Sequence, residues 1–179
     1  YNLTYEEDTA FFDSLKRGDV KLDEDIDARY FHLADDYLTK LGYEHYETSN
    51  YARPCKRSTH NEGYWQGEDY LGLGPSAVST VNGVRSKNVA DTAAYVARVN
   101  SIGHAIDESE ALDADARRLE LIAMGLRTSA GIAVDLLDAS AFKRAEVFRA
   151  EGLAEIAGGR LRLIGKGRAL VDPIAAELV

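Results

Sequence analysis

Apolar positions return at helical spacing from Asp23 to Leu41. Ile26, Tyr30, Leu33, Ala34, Tyr37, Leu38 and Leu41 mark one face, and Gly42 stands where a C-terminal cap belongs. A shorter helix is predicted from Asp8-Thr9 to Lys16, after a strand at Leu3-Thr4-Tyr5. Tyr43 to Tyr51 alternates and is rich in β-formers, so it reads as one strand that ends at Ala52-Arg53-Pro54. Asp69 to Thr80 reads as a buried strand interrupted by Gly72, Gly74 and Pro75. Asn82-Gly83 turns it back into Val84 to Val89. Asp91 caps a helix to about Val99. Strand, helix and strand in this order predict β/α units around a parallel sheet.

The acid-rich stretch from Ser101 to Asp113 has little periodicity and reads as a linker. Beyond it the character changes. Helices are predicted over Asp115–Leu126 and Ala141–Glu151, with a helical turn at Val134–Leu137 between them. Leu153–Ile156 and Arg160–Ile164 flank Gly158-Gly159 as a two-stranded wing. A last helix spans Lys166–Leu178, with Pro173 kinking it or restarting its first turn. This order predicts a winged-helix-like module over residues 114–179, after an α/β domain over 1–100 and a linker over 101–113.

Composition narrows the partners. The chain has 179 residues, 45% apolar and 28% charged, with a net charge of −9. Residues 1–110 carry 11 Lys/Arg against 20 Asp/Glu, which argues against broad phosphate binding; residues 139–179 carry 7 against 5. No apolar run is long enough to span a bilayer, and no signal peptide is visible. The single cysteine, Cys55, excludes an internal disulfide framework and fits a reducing compartment, so a cytoplasmic location is expected. The chain opens without an initiator methionine, as a carboxyl-terminal piece of a longer protein would. A strand edge left bare at Leu3-Thr4-Tyr5 would invite homodimerisation.

Candidate chemistry concentrates in His60-Asn61-Glu62-Gly63-Tyr64-Trp65. An imidazole can ligate iron or carry a proton, and Tyr64 and Trp65 offer faces for a flat ligand. The plainer alternative makes His60-Asn61 a loop cap and the two rings the closure of a sheet end. No second histidine stands at metal-ligand spacing, which argues against a protein-built zinc site. Gly72-Leu-Gly74-Pro-Ser76-Ala77 matches G-x-G-x-x-A, yet Pro75 and the β-prone Val78-Ser-Thr-Val81 open no helix. A dinucleotide site is therefore not expected, and a backbone that lets a ligand approach is. Glu47, Ser49 and Asn50 cluster at a predicted strand end, where β/α proteins place ligands or where polar side chains cap the backbone. Lys143, Arg144, Arg149, Arg160 and Arg162 would suit a DNA-binding winged helix, but Glu146, Glu151 and Glu155 lie among them.

Six strings in order resemble one family. Tyr1-Asn-Leu-Thr-Tyr-Glu6 with Thr9-Ala-Phe11 is the first, and Tyr43-Glu44 through Tyr46-Glu47-Thr-Ser49-Asn50-Tyr-Ala52-Arg-Pro54 the second. His60-Asn61 with Tyr64-Trp65, Asp69-Tyr-Leu-Gly-Leu-Gly-Pro75, Glu120 through Gly125-Leu-Arg127, and Gly152-Leu153 through Gly167 complete the set. Together they resemble the radical S-adenosylmethionine proteins related to oxygen-independent coproporphyrinogen III oxidase, haem-chaperone branch included. The resemblance implies the last part of a partial β/α barrel followed by the family's carboxyl-terminal domain. It implies S-adenosylmethionine and a [4Fe–4S] cluster in the longer parent, with the cluster cysteines upstream of this chain, which alone should be inactive. Gly72, Gly74, Ser76 and Val78 would line the S-adenosylmethionine cavity.

In the chaperone branch His60 is the implied haem ligand, with Asn61, Tyr64 and Trp65 around the porphyrin and haemoproteins as acceptors. In the oxidase branch the parent would decarboxylate propionates of coproporphyrinogen III. Gly74-Pro-Ser76-Ala-Val78-Ser79 departs from the frequent G-P-G-A-H-S, removing a second histidine. The chaperone reading is expected first, the oxidase second and a winged-helix nucleic-acid module last.

Overall fold

A computed structural model describes residues 5–179; Leu3 and Thr4 of the expected first strand lie outside it, and Tyr5 is in no regular element. The chain divides into two compact units, Tyr1–Arg57 and Ser58–Val179.

In the first unit, helix α1 (Ala10–Arg17) starts at Thr9, whose hydroxyl accepts from Phe12 N, and stops at Gly18 in the left-handed conformation. Helix α2 (Glu24–Lys40) starts at Asp23, whose carboxylate accepts from Ile26 N. Gly42, with φ +81°, follows its end. Of the predicted apolar stripe, Ile26, Tyr30, Leu33, Ala34, Tyr37 and Leu41 are exposed and Leu38 is half-buried.

Strands β1 (Glu44–Glu47) and β2 (Asn50–Ala52) replace the single strand expected over Tyr43–Tyr51. They pair antiparallel, Glu44 opposite Ala52 and Glu47 opposite Asn50, so Thr48 and Ser49 form a tight turn. Folding back lets the His45 and Tyr51 rings stack at 4.2 Å. It also brings His45 Nε2 to 3.1 Å from Thr48 O, while Nδ1 lies 2.9 Å from Asp35 Oδ1 on α2.

The second unit opens with helix α3 (Thr59–Trp65) and a three-stranded antiparallel sheet of β3 (Val78–Val81), β4 (Val84–Asn88) and β5 (Ile106–Ala111). The long strand expected over Asp69–Thr80 is not formed. Only Tyr70 bridges Thr80, and residues 71–77 loop out before β3 begins. Helix α4 (Thr92–Ile102) is capped by Asp91, as expected. The segment expected to be a structureless linker holds β5, an edge strand whose residues are all exposed. Charge writes this strand: Arg85 faces Glu110 and Lys87 faces Glu108 across the ladder. All strand pairs among the described residues are antiparallel, with tight turns too short for a parallel crossover between β1 and β2 or between β3 and β4.

Helix α5 (Ala114–Gly125), strand β6 (Ile132–Ala133), a 3-10 turn at Val134–Leu136, helix α6 (Ala139–Ala150), strands β7 (Ala154–Ala157) and β8 (Arg160–Leu163), a second 3-10 stretch at Gly165–Leu170 and helix α7 (Val171–Leu178) complete the chain. The last helix is shorter than expected because Pro173 sits in its first turn, where a missing N–H costs nothing. The expected two-stranded wing gains a third strand, in the order β6-β8-β7. Ile122, Ile132, Leu161 and Leu178 are sealed at the centre of the core these elements share.

Candidate functional site

The His60–Trp65 string is a helix, not a loop. Ser58 caps it by accepting from Asn61 N at 3.3 Å, and the chain leaves it through Gly67 at φ +71°. On such a turn residues four apart share a face, so His60 stands with Tyr64 and Asn61 with Trp65. His60 is exposed and has no hydrogen-bond partner among the described residues. Asn61 is half-buried. Tyr64 remains 38% exposed, its ring edge-on to Trp65 at 5.6 Å and tilted against Tyr70 at 5.1 Å.

Behind Tyr64 lies a small cavity of about 40 Å3, bounded by Tyr70, Thr80, Arg85 and Glu120. Arg85 of β4 donates to both carboxylate oxygens of Glu120 on α5, at 2.5 and 2.9 Å. Thr80 Oγ1 is buried there without a partner among the described residues, and the cavity has room for about one water. Burial raises the Tyr64 phenol above its ordinary value, and the neighbouring Tyr70 phenol raises it further by charge and hydrogen bonding. Tyr64 is thus held neutral, with its orientation set from behind. Trp65, edge-on to Tyr64, lines a different cavity, and its indole Nε1 is buried without an acceptor among the described residues.

The glycine segment is laid along the sheet as a loop. A Cβ on Gly72 would fall 2.1 Å from Val78 O, so only glycine permits this approach. Gly72 N donates to Ser79 Oγ at 3.0 Å, and the Asn88 side-chain amide donates to the carbonyls of Gly72 and Gly74 at 3.3 and 3.0 Å. Gly74 N donates to Tyr95 Oη at 3.1 Å, and Ser76, with φ +59°, donates its N–H to Val89 O. Gly72, Gly74 and Ser76 therefore belong to one built loop that runs into β3 at Val78, with Leu71 and Leu73 projecting from it 74% and 86% exposed. β3 follows instead of a helix, so no dinucleotide turn is made.

Glu47, Ser49 and Asn50 belong to the first unit. They flank the β1–β2 turn, Glu47 opposite Asn50, but differ in burial: Glu47 is buried with Oε1 unpartnered among the described residues, while Ser49 and Asn50 are exposed. Sequence reasoning missed Tyr70, Arg85, Asn88 and Tyr95 as supports. Arg85 and Glu120 lie 35 positions apart, beyond the reach of any local pattern. No group of three His, Cys, Asp or Glu is placed to hold a metal ion among the described residues.

No family model matches the chain. Over its whole length it is 33% identical to the heme chaperone HemW of Mycobacterium tuberculosis, covering 46% of that protein. It is 30% identical to the mouse mitochondrial radical S-adenosyl methionine domain-containing protein 1, covering 45% of it. Among solved structures, coproporphyrinogen III oxidase (HemN) from Escherichia coli, a radical SAM enzyme, superposes with a TM-score of 0.62 over 82% of this chain and 39% of that one, at 19% identity. The fold is thus the mixed α/β fold of the carboxyl-terminal part of HemN. The chain belongs to the radical S-adenosylmethionine family of coproporphyrinogen III oxidase-like proteins. Within it, the matching relatives include proteins named HemW, and the chain spans about half the length of the curated relatives it matches.

Proposed function

We propose that this chain is the carboxyl-terminal portion of a haem chaperone, and that His60 is its haem ligand. The observation that carries this reading is the His60 imidazole, exposed, unpartnered among the described residues and one helical turn before an immobilised aromatic ring. Iron takes a neutral imidazole as a single axial ligand. Tyr64 offers its face beside that ligand, Asn61 lies half-buried on the adjoining face, and Trp65 supports Tyr64 edge-on from behind instead of covering the macrocycle. Acceptor haemoproteins follow from the same reading.

The residues present do not fit an iron–sulfur cluster, since Cys55 is the chain's single cysteine. S-adenosylmethionine chemistry belongs to the longer parent. There Gly72, Gly74, Ser76 and Val78 would line the S-adenosylmethionine cavity, and Glu47, Ser49 and Asn50 would supply polar groups at a strand end of the first unit. Residues 1–100 would complete a partial β/α barrel, 101–113 would carry the change of domain, and 114–179 would form a winged-helix-like module. Three of its basic residues are engaged internally, Arg149 with Glu146, Arg162 with Glu155, and Arg144 with Ser140 and Glu177, which favours a mixed-charge surface over a nucleic-acid face. No helix among the described residues is long and apolar enough to cross a membrane, and the cytoplasm suits the one free thiol. Self-association through an open edge strand is part of the same reading.

The oxidase reading is favoured by one feature, Val78 in place of a second histidine beside the glycine loop. Haemin titration followed by Soret absorbance separates the two. The chaperone reading expects saturable binding that weakens at least about tenfold in His60→Ala and partly in Tyr64→Leu. Equal binding by His60→Ala, or no saturable binding, would remove His60 as the ligand.

A further inference from the structure

Trp65 points to a second site. Its ring forms one wall of a cavity of about 430 Å3 that also takes in Leu121, Ile132, Leu136, Gly131 and Arg160. The volume lies within the roughly 300–1,000 Å3 of small-molecule pockets. Most of the wall is apolar, and no acidic residue contributes to it. Arg160 is its single charge. Arg160 Nε donates to Ala130 O at 2.7 Å and Nη2 to Gly131 O at 2.6 Å, which fixes the guanidinium by two neutral carbonyls. Among the described residues no carboxylate pairs with it, whereas Arg162 on the same strand pairs with Glu155. A preorganised, unneutralised guanidinium at an apolar cavity selects a planar anion whose body is apolar.

We infer that this cavity, on the opposite side of α3 from His60, binds a small aromatic carboxylate, with the ring against Trp65 and the carboxylate on Arg160. The site shares Trp65 with the haem reading but includes neither His60 nor Tyr64.

Trp65 is the single tryptophan of the chain, so its indole N–H resonance is one unambiguous reporter on this wall of the cavity. Naphthalene-2-carboxylate titrated into the protein should shift that resonance saturably. The neutral naphthalene-2-carboxamide should bind about tenfold more weakly, as should the acid with Arg160→Gln. Ala133→Phe, whose ring fills the cavity and which removes no side-chain hydrogen bond, should abolish the shift. Equal affinity for acid and amide, or no saturable shift, overturns the proposal. That comparison needs no variant, so it decides the matter even if Arg160→Gln fails to fold.

Discussion

Arg85 on β4 and Glu120 on α5 form a two-pronged ion pair, 2.5 and 2.9 Å across, that joins the antiparallel sheet to the carboxyl-terminal helices. Both side chains are about two-thirds covered. The pair also closes the cavity behind Tyr64, so it links the packing of the second unit to the face that carries His60.

Glu120→Gln should therefore destabilise the chain by about 1–2 kcal/mol, since it leaves a partly covered guanidinium with one neutral acceptor. Urea unfolding of Glu120→Gln, Arg85→Gln and the double variant checks this. The double variant should lose clearly less than the sum of the singles.

Tyr64 should titrate above the ordinary phenol value of 10.0, first because of burial and then because of Tyr70. The folded chain then holds the proton more tightly than the unfolded one. Its contribution to stability is whole below about pH 10 and is lost as pH rises through the higher folded value. Absorbance at alkaline pH, taken as the difference from Tyr64→Phe, isolates this group among ten tyrosines. Tyr70→Phe should lower the Tyr64 midpoint; an unchanged midpoint would rule out the coupling.

Gly131 has φ +63°, and a Cβ there would fall 2.0 Å from Leu161 O. The obstacle is backbone, which cannot swing aside. Gly131→Ala should cost at least about 3 kcal/mol, by strain plus the forced opening of the β6–β8 pair. Gly158→Ala, at a similar φ with nothing within 4 Å, supplies the strain alone and should cost only about 1 kcal/mol. Equal losses in the two would show that the close approach is not felt.

Asp138 caps α6 by accepting from Ser140 N and Ala141 N, both at 2.8 Å, and the N–H of Ala141 is the main cause that holds its carboxyl below the usual 3.8. A depressed value makes the contribution present above about pH 4 and lost as pH falls through the lower folded value. Asp138→Asn should keep the cap but flatten this acid limb of the stability curve, whereas Asp138→Ala should lower stability at neutral pH as well. Thermal unfolding between pH 2 and pH 7 reads both effects.

Apart from α3, the helices were the most legible part of the chain. Thr9, Asp23, Asp91, Asp113 and Asp138 each cap the helix that follows them. A cap and an apolar period act within one turn, so they are written locally. Strand β5 was hidden because Ile106-Asp-Glu-Ser-Glu-Ala111 has no apolar alternation; its partners, Arg85 and Lys87, lie more than 20 positions earlier. The same limit concealed the turn at Thr48-Ser49, across which His45 stacks on Tyr51.

The candidate site divides along the same line. Its motif residues His60, Asn61, Tyr64 and Trp65, and the glycine loop from Gly72 to Val78, were visible as local strings. So was kinship with the coproporphyrinogen III oxidase-like proteins, because ordered motifs survive in one dimension. Only the tertiary structure decided that Tyr64 and Trp65 look into different cavities, and that Arg85, Glu120 and Tyr70 hold one of them. Helix pitch sends neighbouring residues to different faces. What each face meets is set by contacts between distant segments, whose energies leave no period in the sequence.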